Sequence, residues 1–340
     1  MSIVLRGLRE GDGAPLAVCW KELWDLHESW GGYTTDRDAR AFDRVADRLD
    51  RDAVARRSEV AYGSHLHLVA EVDGRVVGQV EGWLDRMGVH PRTKTVCEIR
   101  SLVVRSDVRN LGVARKLLDR LALEADRAAH ESCVAIAEVL EANPAMSFYE
   151  KLGFRPVAWT KRLTGTSFHE IELKLGDAPA RATVRRSRAG DENAIARLEA
   201  RLAERRRRGN DARYDPPQPL EAAWLGLLRD VLTTEDPLTP QPFVAATPDG
   251  NALATAQFWM QELEPPFFPQ ARAIASRLEC FDNDEAYRTA QLLCRGLLRL
   301  ARRAGASAIE FVDLPPPAAR LSQALESMGI PAWSRIMQRP

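Results

Sequence analysis

The chain has 340 residues, 45% of them hydrophobic, about the size of two domains of ordinary length and more apolar material than one core needs. Its 48 Lys and Arg balance 48 Asp and Glu, so no net field exists to hold nucleic acid or an anionic membrane, and neither is expected as a partner. The opening MSIVLRGLRE is too charged for a signal peptide, no run is apolar enough to span a bilayer, and the five cysteines (Cys19, Cys97, Cys133, Cys280, Cys294) form no CxxC pair; a soluble cytoplasmic protein with reduced core thiols is expected.

The segment from Leu5 to Asp12 predicts a strand, a turn and the start of a helix. Trp20, Trp24, His27, Trp30 and Tyr33 then cluster between the first two helices, where they can be core or the lining of a pocket. Asp73-Gly74 lies between alternating apolar runs and predicts a hairpin, with Trp83 nine residues on. His65 and His67 sit two apart on its first strand, with no third ligand at a suitable spacing, so packing or substrate contact is expected there rather than a metal.

From Cys97 a β-branched strand runs to Val104, and Val113, Leu117, Leu118, Leu121 and Ala125 then recur at helical spacing. Strict alternation would place Glu98, Arg100, Leu102 and Val104 on one face of the strand and Cys97 on the other. The turn between strand and helix reads Arg109-Asn110-Leu111-Gly112-Val113-Ala114. Helix N-termini present unpaired amides and a positive partial charge, so a tight turn here suits a pyrophosphate, with Gly112 and Ala114 permitting close approach and Arg109 adding a cation. Further on, Asn143-Pro144-Ala145-Met146-Ser147-Phe148-Tyr149-Glu150-Lys151-Leu152-Gly153-Phe154 reads as a short helix ending at a glycine.

The chain then repeats itself. Residues 184–191 have the shape of residues 5–12, offset by 179; Asp249-Gly250 with Trp259 repeats Asp73-Gly74 with Trp83 at 176; Glu326-Ser327-Met328-Gly329-Ile330 repeats Glu150-Lys151-Leu152-Gly153-Phe154, again at 176. Each half reads strand, helices, hairpin, strand, helix, strand, helix, strands, with the join near residues 175–179, giving domains 1–176 and 177–340. Proline-rich DPPQP, EPPFFP and LPPP mark loops of the second half, and the basic run at 205–208 reads as a solvated helix end.

The turn after Val104-Arg105-Ser106, taken with the segment from Asn143 to Phe154, resembles the signature of the GNAT superfamily of acyl-CoA-dependent N-acetyltransferases. Ser106 stands where proline is usual, and Asn143 lies one residue nearer Tyr149 than is usual. The resemblance implies an α+β (mixed α/β) fold of two tandem GNAT-like domains, each a mixed, mostly antiparallel central sheet flanked by helices. It implies acetyl-CoA as cosubstrate and no metal. By resemblance, Arg109, Asn110, Leu111, Gly112, Val113, Ala114 and Arg115 would cradle the pyrophosphate. The main chain of Leu102, Val103 and Val104 would bind pantetheine and polarise the thioester carbonyl, with Asn143 and Phe148 alongside the arm. Tyr149 would supply a proton to the departing thiolate, and Glu98 would take the amine proton. Arg100, two residues on, could instead make Glu98 half of a structural ion pair; His169 is a second choice of base; and Cys97, on the wrong face, argues against an acyl-cysteine intermediate.

In the second half the 176 offset places Leu325 at the position of Tyr149, and the matching turn, Glu285-Ala286-Tyr287-Arg288-Thr289-Ala290, has no glycine and stands beside Asp282 and Asp284. A degenerate domain is expected there, completing the acceptor site, dimerising or supporting the first half. The sequence reading is therefore an N-acetyltransferase acting on a small-molecule primary amine in a ternary complex; the alternative is a non-catalytic acyl-CoA-binding or scaffold protein.

Overall fold

The computed structural model describes residues 2–33, 38, 40–57, 59–84, 94–164, 183–214, 225, 240–262, 271–280, 284–316 and 319–339, with the side chains of 285 and 286 excepted. His169, the join at 175–179, Asp282, DPPQP, EPPFFP and part of LPPP lie outside the described residues. The first half contains β1 (Ile3–Arg6), α1 (Gly13–Ser29), α2 (Arg40–Arg56), β2 (Ala61–Tyr62), β3 (His65–Val72), β4 (Arg75–Leu84), β5 (Val96–Val104), α3 (Val113–Ala129), β6 (Val134–Leu140), α4 (Met146–Lys151) and β7 (Arg155–Thr164). The second contains β8 (Thr183–Arg186), α5 (Glu192–Arg208), β9 (Gln241–Ala246), β10 (Ala252–Glu262), β11 (Ala271–Cys280), α6 (Asp284–Arg303), β12 (Ala308–Leu314), α7 (Arg320–Ser327) and β13 (Ala332–Arg339). Among the described residues no helix is long and apolar enough to cross a membrane.

The repeat is visible down to side-chain atoms. Arg6 forks onto Asp12 at 2.6 and 2.9 Å, and Arg185 forks onto Asp191 at the same two distances. Asp12 also accepts the amide of Arg9 at 2.7 Å, and Asp191 that of Arg188 at 2.8 Å. In each half one carboxylate thus ties the strand end to the helix start, which is why Arg and Asp recur in that pattern.

All thirteen strands form one mixed, mostly antiparallel sheet in the order β1-β3-β4-β5-β6-β13-β7-β12-β11-β10-β9-β8, with β2 beside β3. The order shows a strand exchange. The last strand of the second half, β13, lies between β6 and β7, while β7 pairs with β12. The pair β7–β13 is antiparallel, with Lys161 opposite Ala332 and Pro156 opposite Met337, so the two halves are related by an approximate two-fold axis through it. The exchange leaves neither β6 nor β12 as an open edge.

Each half has a core of its own, and each core takes in a residue from the other half. On one face, α3 buries Val113, Leu117, Leu118, Leu121 and Ala125, the five positions picked out by helical spacing, against β3–β6, and Met337 of β13 completes that cluster. Leu163 of β7 is in turn part of the cluster built by α6, α7 and the second half's strands. On the other face α1 and α2 cover β3 around Leu16, Trp20, Val45 and Leu49, and α5 packs on β9 and β10. The basic run is corrected. Arg207 and Arg208 pair with Glu204 near solvent, but Arg206, continuing the buried Leu198 and Leu202 positions, is itself buried and donates to the carbonyl of Val157 at 2.8 Å. Of the cysteines, all free, Cys133 is only half-buried.

Candidate active site

The turn leading into α3 has the backbone that an anion site requires. Asn110 and Gly112 both adopt left-handed conformations, φ +67° and +79°, and Gly112 caps α3 without any side-chain hydrogen bond. The first-turn amides of Val113, Ala114 and Arg115 therefore have no helical partner, as geometry requires of a helix start. A Cβ at Gly112 would meet nothing within 4 Å, so the glycine is there for its φ and for the space it leaves above the amides. Arg109, Asn110, Leu111 and Arg115 are exposed around it, while Val113 anchors the turn in the core. Arg109 donates to the carbonyl of Val104 at 3.1 Å and lies 3.7 Å from Glu22 of α1, which also accepts the amide of Ser106 at 2.9 Å.

Beside this turn the sheet opens. β5 and β6 run parallel and pair only from Val96 to Ile99 against Val134 to Ala137; from Arg100 onward β5 keeps β4 but has no partner on its other edge among the described residues. The backbone of Leu102, Val103 and Val104 thus faces a gap that leads from the α3 side to the α1 side of the sheet. A bulge accompanies the opening: Ser101 has φ +51°, and the β4–β5 register shifts between Gln79 and Glu81. The bulge overturns the strict alternation expected for this strand. Cys97 and Ile99, then Leu102 and Val104, contribute to the α3-side core, so Glu98 and Arg100 share the opposite face without Leu102 and Val104.

Tyr149 is 8% exposed on α4 and packs edge-on to Phe148 and Phe154, with ring centres 5.5 and 5.3 Å away. Among the described residues its hydroxyl has no hydrogen-bond partner, and burial pushes its phenol above its ordinary range, so it stays protonated. Asn143 accepts the amide of Ala145 at 2.8 Å and shapes the entry to α4. Phe148 is half-buried against the α3-side core.

The α1 side of the gap is polar. Glu98 is bound by Arg100 at 2.6 and 2.7 Å, both through Oε1, which leaves Oε2 without a partner among the described residues. Glu138 stands exposed in the otherwise buried β6 and accepts hydrogen bonds from Thr160 at 2.9 Å and Ser334 at 2.5 Å. Across β13 and β7 follow Arg162, Glu310 and Arg272, roofed by Tyr33 and Trp333. Sequence reasoning missed Glu138, Arg162 and Arg272; a lone carboxylate inside VAIAEVL was the one local signal. The aromatic cluster divides: Trp20 is core, Trp24 and His27 extend it edge to face, and Tyr33 leaves it to pack on Trp333 of the second half.

His65 and His67 gain from the fold the third group that spacing did not supply. Glu81 of β4 brings a carboxylate to them, the three ligand atoms lying within 4.8 Å of one another. They could hold a metal ion, but their bonds describe a proton-ordered chain. Buried Arg56 contacts Nδ1 of His65, whose Nε2 reaches Glu81 at 3.0 Å; Gln79 donates to Glu81 at 3.2 Å, and His67 reaches Gln79 at 3.1 Å. A cation would have to break the His65–Glu81 bond and sit beside a guanidinium. Burial pushes His67 down to about 4; burial would raise Glu81, but the bond from His65 together with the charges of His67, His65 and Arg48 brings it down to about 2.

Among the described residues of the second half the corresponding features are absent or filled. Leu325 is buried core at the place of Tyr149. Asp284 opens α6 and is bonded by Arg320 of α7, so the helix start here is acidic and tied to the next helix. The gap beyond Ser276 is plugged by Arg277, fully buried on Glu199, and by Asp313 between Arg206 and Arg213.

A one-sided anion turn, a gap in a parallel strand pair and a buried phenol beside it, set in a duplicated sheet, define a tandem acyltransferase-type fold. Residues 63–156 match the acetyltransferase (GNAT) domain, and the fold as a whole is similar to that of tandem GNAT structures. It is similar in fold to a GCN5-related N-acetyltransferase from Sphaerobacter thermophilus, at 16% identity and a TM-score of 0.54 over 99% of this chain and 95% of that one. It is similar also to a tandem GNAT protein from the clavulanic acid biosynthesis pathway, at 15% identity and a TM-score of 0.51 over 99% and 98%. A glucosamine N-acetyltransferase region of a fungal multi-domain GH3 β-N-acetylglucosaminidase is 12% identical with a TM-score of 0.56, this chain spanning 38% of that one. No curated protein matches the chain in sequence.

Proposed function

We propose that the protein is an acetyl-CoA-dependent N-acetyltransferase that moves an acetyl group to a primary amine by direct attack within a ternary complex, the chemistry residing in the first half. The observation that carries this reading is the conjunction, in that half alone among the described residues, of the open Gly112 turn, the β5–β6 gap and Tyr149. The amides of residues 110–115 hold the pyrophosphate, and the free edge at Leu102, Val103 and Val104 aligns the pantetheine arm and donates to the carbonyl oxygen, where negative charge develops. Asn143 and Phe148 flank the arm. Acetyl-CoA supplies an activated acyl carbon and a thiolate leaving group.

An alkylammonium has a pKa of about 10.4 and must lose a proton before nitrogen can attack. Glu98 draws that proton through its unpartnered Oε2. The C–N bond forms, the C–S bond breaks, and the products are an amide and a free thiol once the thiolate is protonated. Tyr149, less acidic than a thiol of pKa about 8.5, stabilises the departing sulfur chiefly by donating a hydrogen bond, and any proton it gives up returns to it from solvent. Soluble cytoplasmic placement agrees with this chemistry.

The test is thiol release from acetyl-CoA over a panel of amines. Tyr149→Phe is expected to lower kcat by about 10²-fold or more, and Glu98→Gln to lower it comparably. Unchanged turnover in both would remove these roles. Acetyl-CoA binding without turnover of any amine would indicate an acyl-CoA-binding protein instead.

A further inference from the structure

The charges on the α1 side of the sheet fall into two groups of opposite sign. Beside the gap are two carboxylates, Glu98 and Glu138, and one guanidinium, Arg100, which Glu98 holds. Glu138 has only hydroxyl partners among the described residues, those of Thr160 and Ser334, and is solvent-accessible although it lies mid-strand. The charge of Glu138 is felt by Arg100 and Arg272, neither of which hydrogen-bonds it among the described residues. Farther across are two guanidiniums, Arg162 and Arg272, and one carboxylate, Glu310. Arg272 is fully engaged: it donates to Glu310 at 2.7 Å, to Gln261 at 2.7 and 3.2 Å, and to the Tyr33 hydroxyl.

Arg162 is not so engaged. It lies directly opposite Glu310 in the β7–β12 pair, yet its Nε is 3.7 Å from Oε1, and both atoms are buried with no hydrogen bond. Its guanidinium packs on an aromatic clamp whose two rings meet edge to face, 4.1 Å from the centre of Tyr33 and 5.0 Å from that of Trp333. Trp333 is itself fixed by donating to the carbonyl of Gly31 at 3.0 Å. A cation packed against two rings, mostly desolvated and with N–H groups that have no hydrogen-bond partner among the described residues, suits a planar anion. Thr160, which touches Glu138, and Arg162 are successive residues on one face of β7, about 6.8 Å apart along the strand. The two ends thus lie on one face of the sheet at the span of a small molecule.

We propose that the acceptor is a zwitterion, an amino carboxylate whose ammonium is received by Glu138 beside the gap and whose carboxylate is bound by Arg162 in the Tyr33–Trp333 clamp. The proposal rests on the acetyltransferase reading and names its substrate class. It also gives the second half a task, because Trp333, Ser334, Arg272 and Glu310 belong to that half and the acceptor site is incomplete without them.

The experiment compares matched acceptors on the full chain: glycine, β-alanine, 4-aminobutanoate, 6-aminohexanoate and lysine against amines of the same length without the carboxylate and against aminoalkylphosphonates. At least one amino carboxylate is expected to exceed its matched amine by 10-fold or more in kcat/KM. In Arg162→Gln that ratio falls toward one through KM, while Arg162→Lys keeps part of it. An aminoalkylphosphonate preferred over every carboxylate would replace the carboxylate by a phosphate-like anion and overturn the assignment. Equal kcat/KM for matched pairs in the unaltered protein would overturn it without recourse to any variant. Calorimetric titration of the best amino carboxylate into the protein separates the two readings: binding that Arg162→Gln weakens, without thiol release, would leave the acceptor class standing and sink acetyl transfer, whereas thiol release with amines regardless of carboxylate would do the reverse.

Discussion

Ser101 of β5 and Arg277 of β11 are equivalent residues of the two halves, 176 positions apart, and both hold a left-handed backbone, φ +51° and +54°. At each the strand changes face: Cys97, Ile99, Leu102 and Val104 in one half correspond to Ala273, Ala275, Leu278 and Cys280 in the other, all directed to their own helical cores. The same device serves opposite ends. In the first half it turns Glu98 and Arg100 to the gap; in the second the matching residues are Ile274 and Ser276, and the Arg277 side chain fills the space against Glu199.

That plug gives a stability prediction. Removing one member of a fully buried ion pair leaves an uncompensated charge, so Arg277→Met is expected to destabilise the protein by about 3–5 kcal/mol. The double variant Arg277→Met with Glu199→Leu should recover most of the loss. Urea titrations of the two singles and the double decide it, and strictly additive losses would show that the pair is not coupled.

Gly112→Ala places a side chain in a left-handed turn at about 1–2 kcal/mol of strain, without any steric clash in the protein itself. The new methyl would occupy the open space at the amides proposed to take the pyrophosphate. The KM for acetyl-CoA is expected to rise about 10-fold, equivalent to about 1.4 kcal/mol, with the acceptor KM unchanged. Initial-rate measurements with each substrate varied separately test this, and a rise confined to the acceptor would contradict the turn's assignment.

The strand exchange predicts that the halves unfold together. Met337 is fully buried in the first half's core although it belongs to the last strand of the second, so Met337→Ala is expected to destabilise by about 2–5 kcal/mol. Scanning calorimetry should show one transition in both proteins, shifted downward in the variant. Two resolved transitions, only one of them moved, would mean that the halves are energetically independent.

Stability should fall on acidification through His67. An exposed histidine titrates near 6.5 and the buried one near about 4, so between these values the unfolded chain binds a proton that the folded chain excludes. Its contribution is complete above pH 6.5 and declines as pH falls through that window, by about 3 kcal/mol in all. His27, which burial also pushes down to about 4, acts in the same direction, and Glu81, held near about 2, adds a further loss below its ordinary value near 4.5. Urea midpoints at pH 7, 5.5 and 4.5 should therefore decrease, and less steeply in His67→Leu. An unchanged slope in that variant would remove His67 from the account.

The sequence by itself determined what depends on neighbours in the chain: the repeat, the turn at 109–115, the buried stripe of α3 and the loss of Tyr149's counterpart at Leu325. Helical periodicity, glycine conformation and a cap residue act over a few positions, so they can be read locally. Tertiary structure alone decided the rest. The bulge at Ser101 is a single backbone inversion that alternation does not register, and it reassigned two residues to the opposite face. The third member beside His65 and His67 arrives from the adjacent strand. Glu138, Ser334, Arg162 and Arg272 form one cleft because β13 enters the sheet between β6 and β7, bringing together residues as much as 196 positions apart. That pairing is selected by the burial of Met337 and Leu163 in each other's halves and by the covering of two strand edges, energies that belong to the closed sheet and to no segment of it.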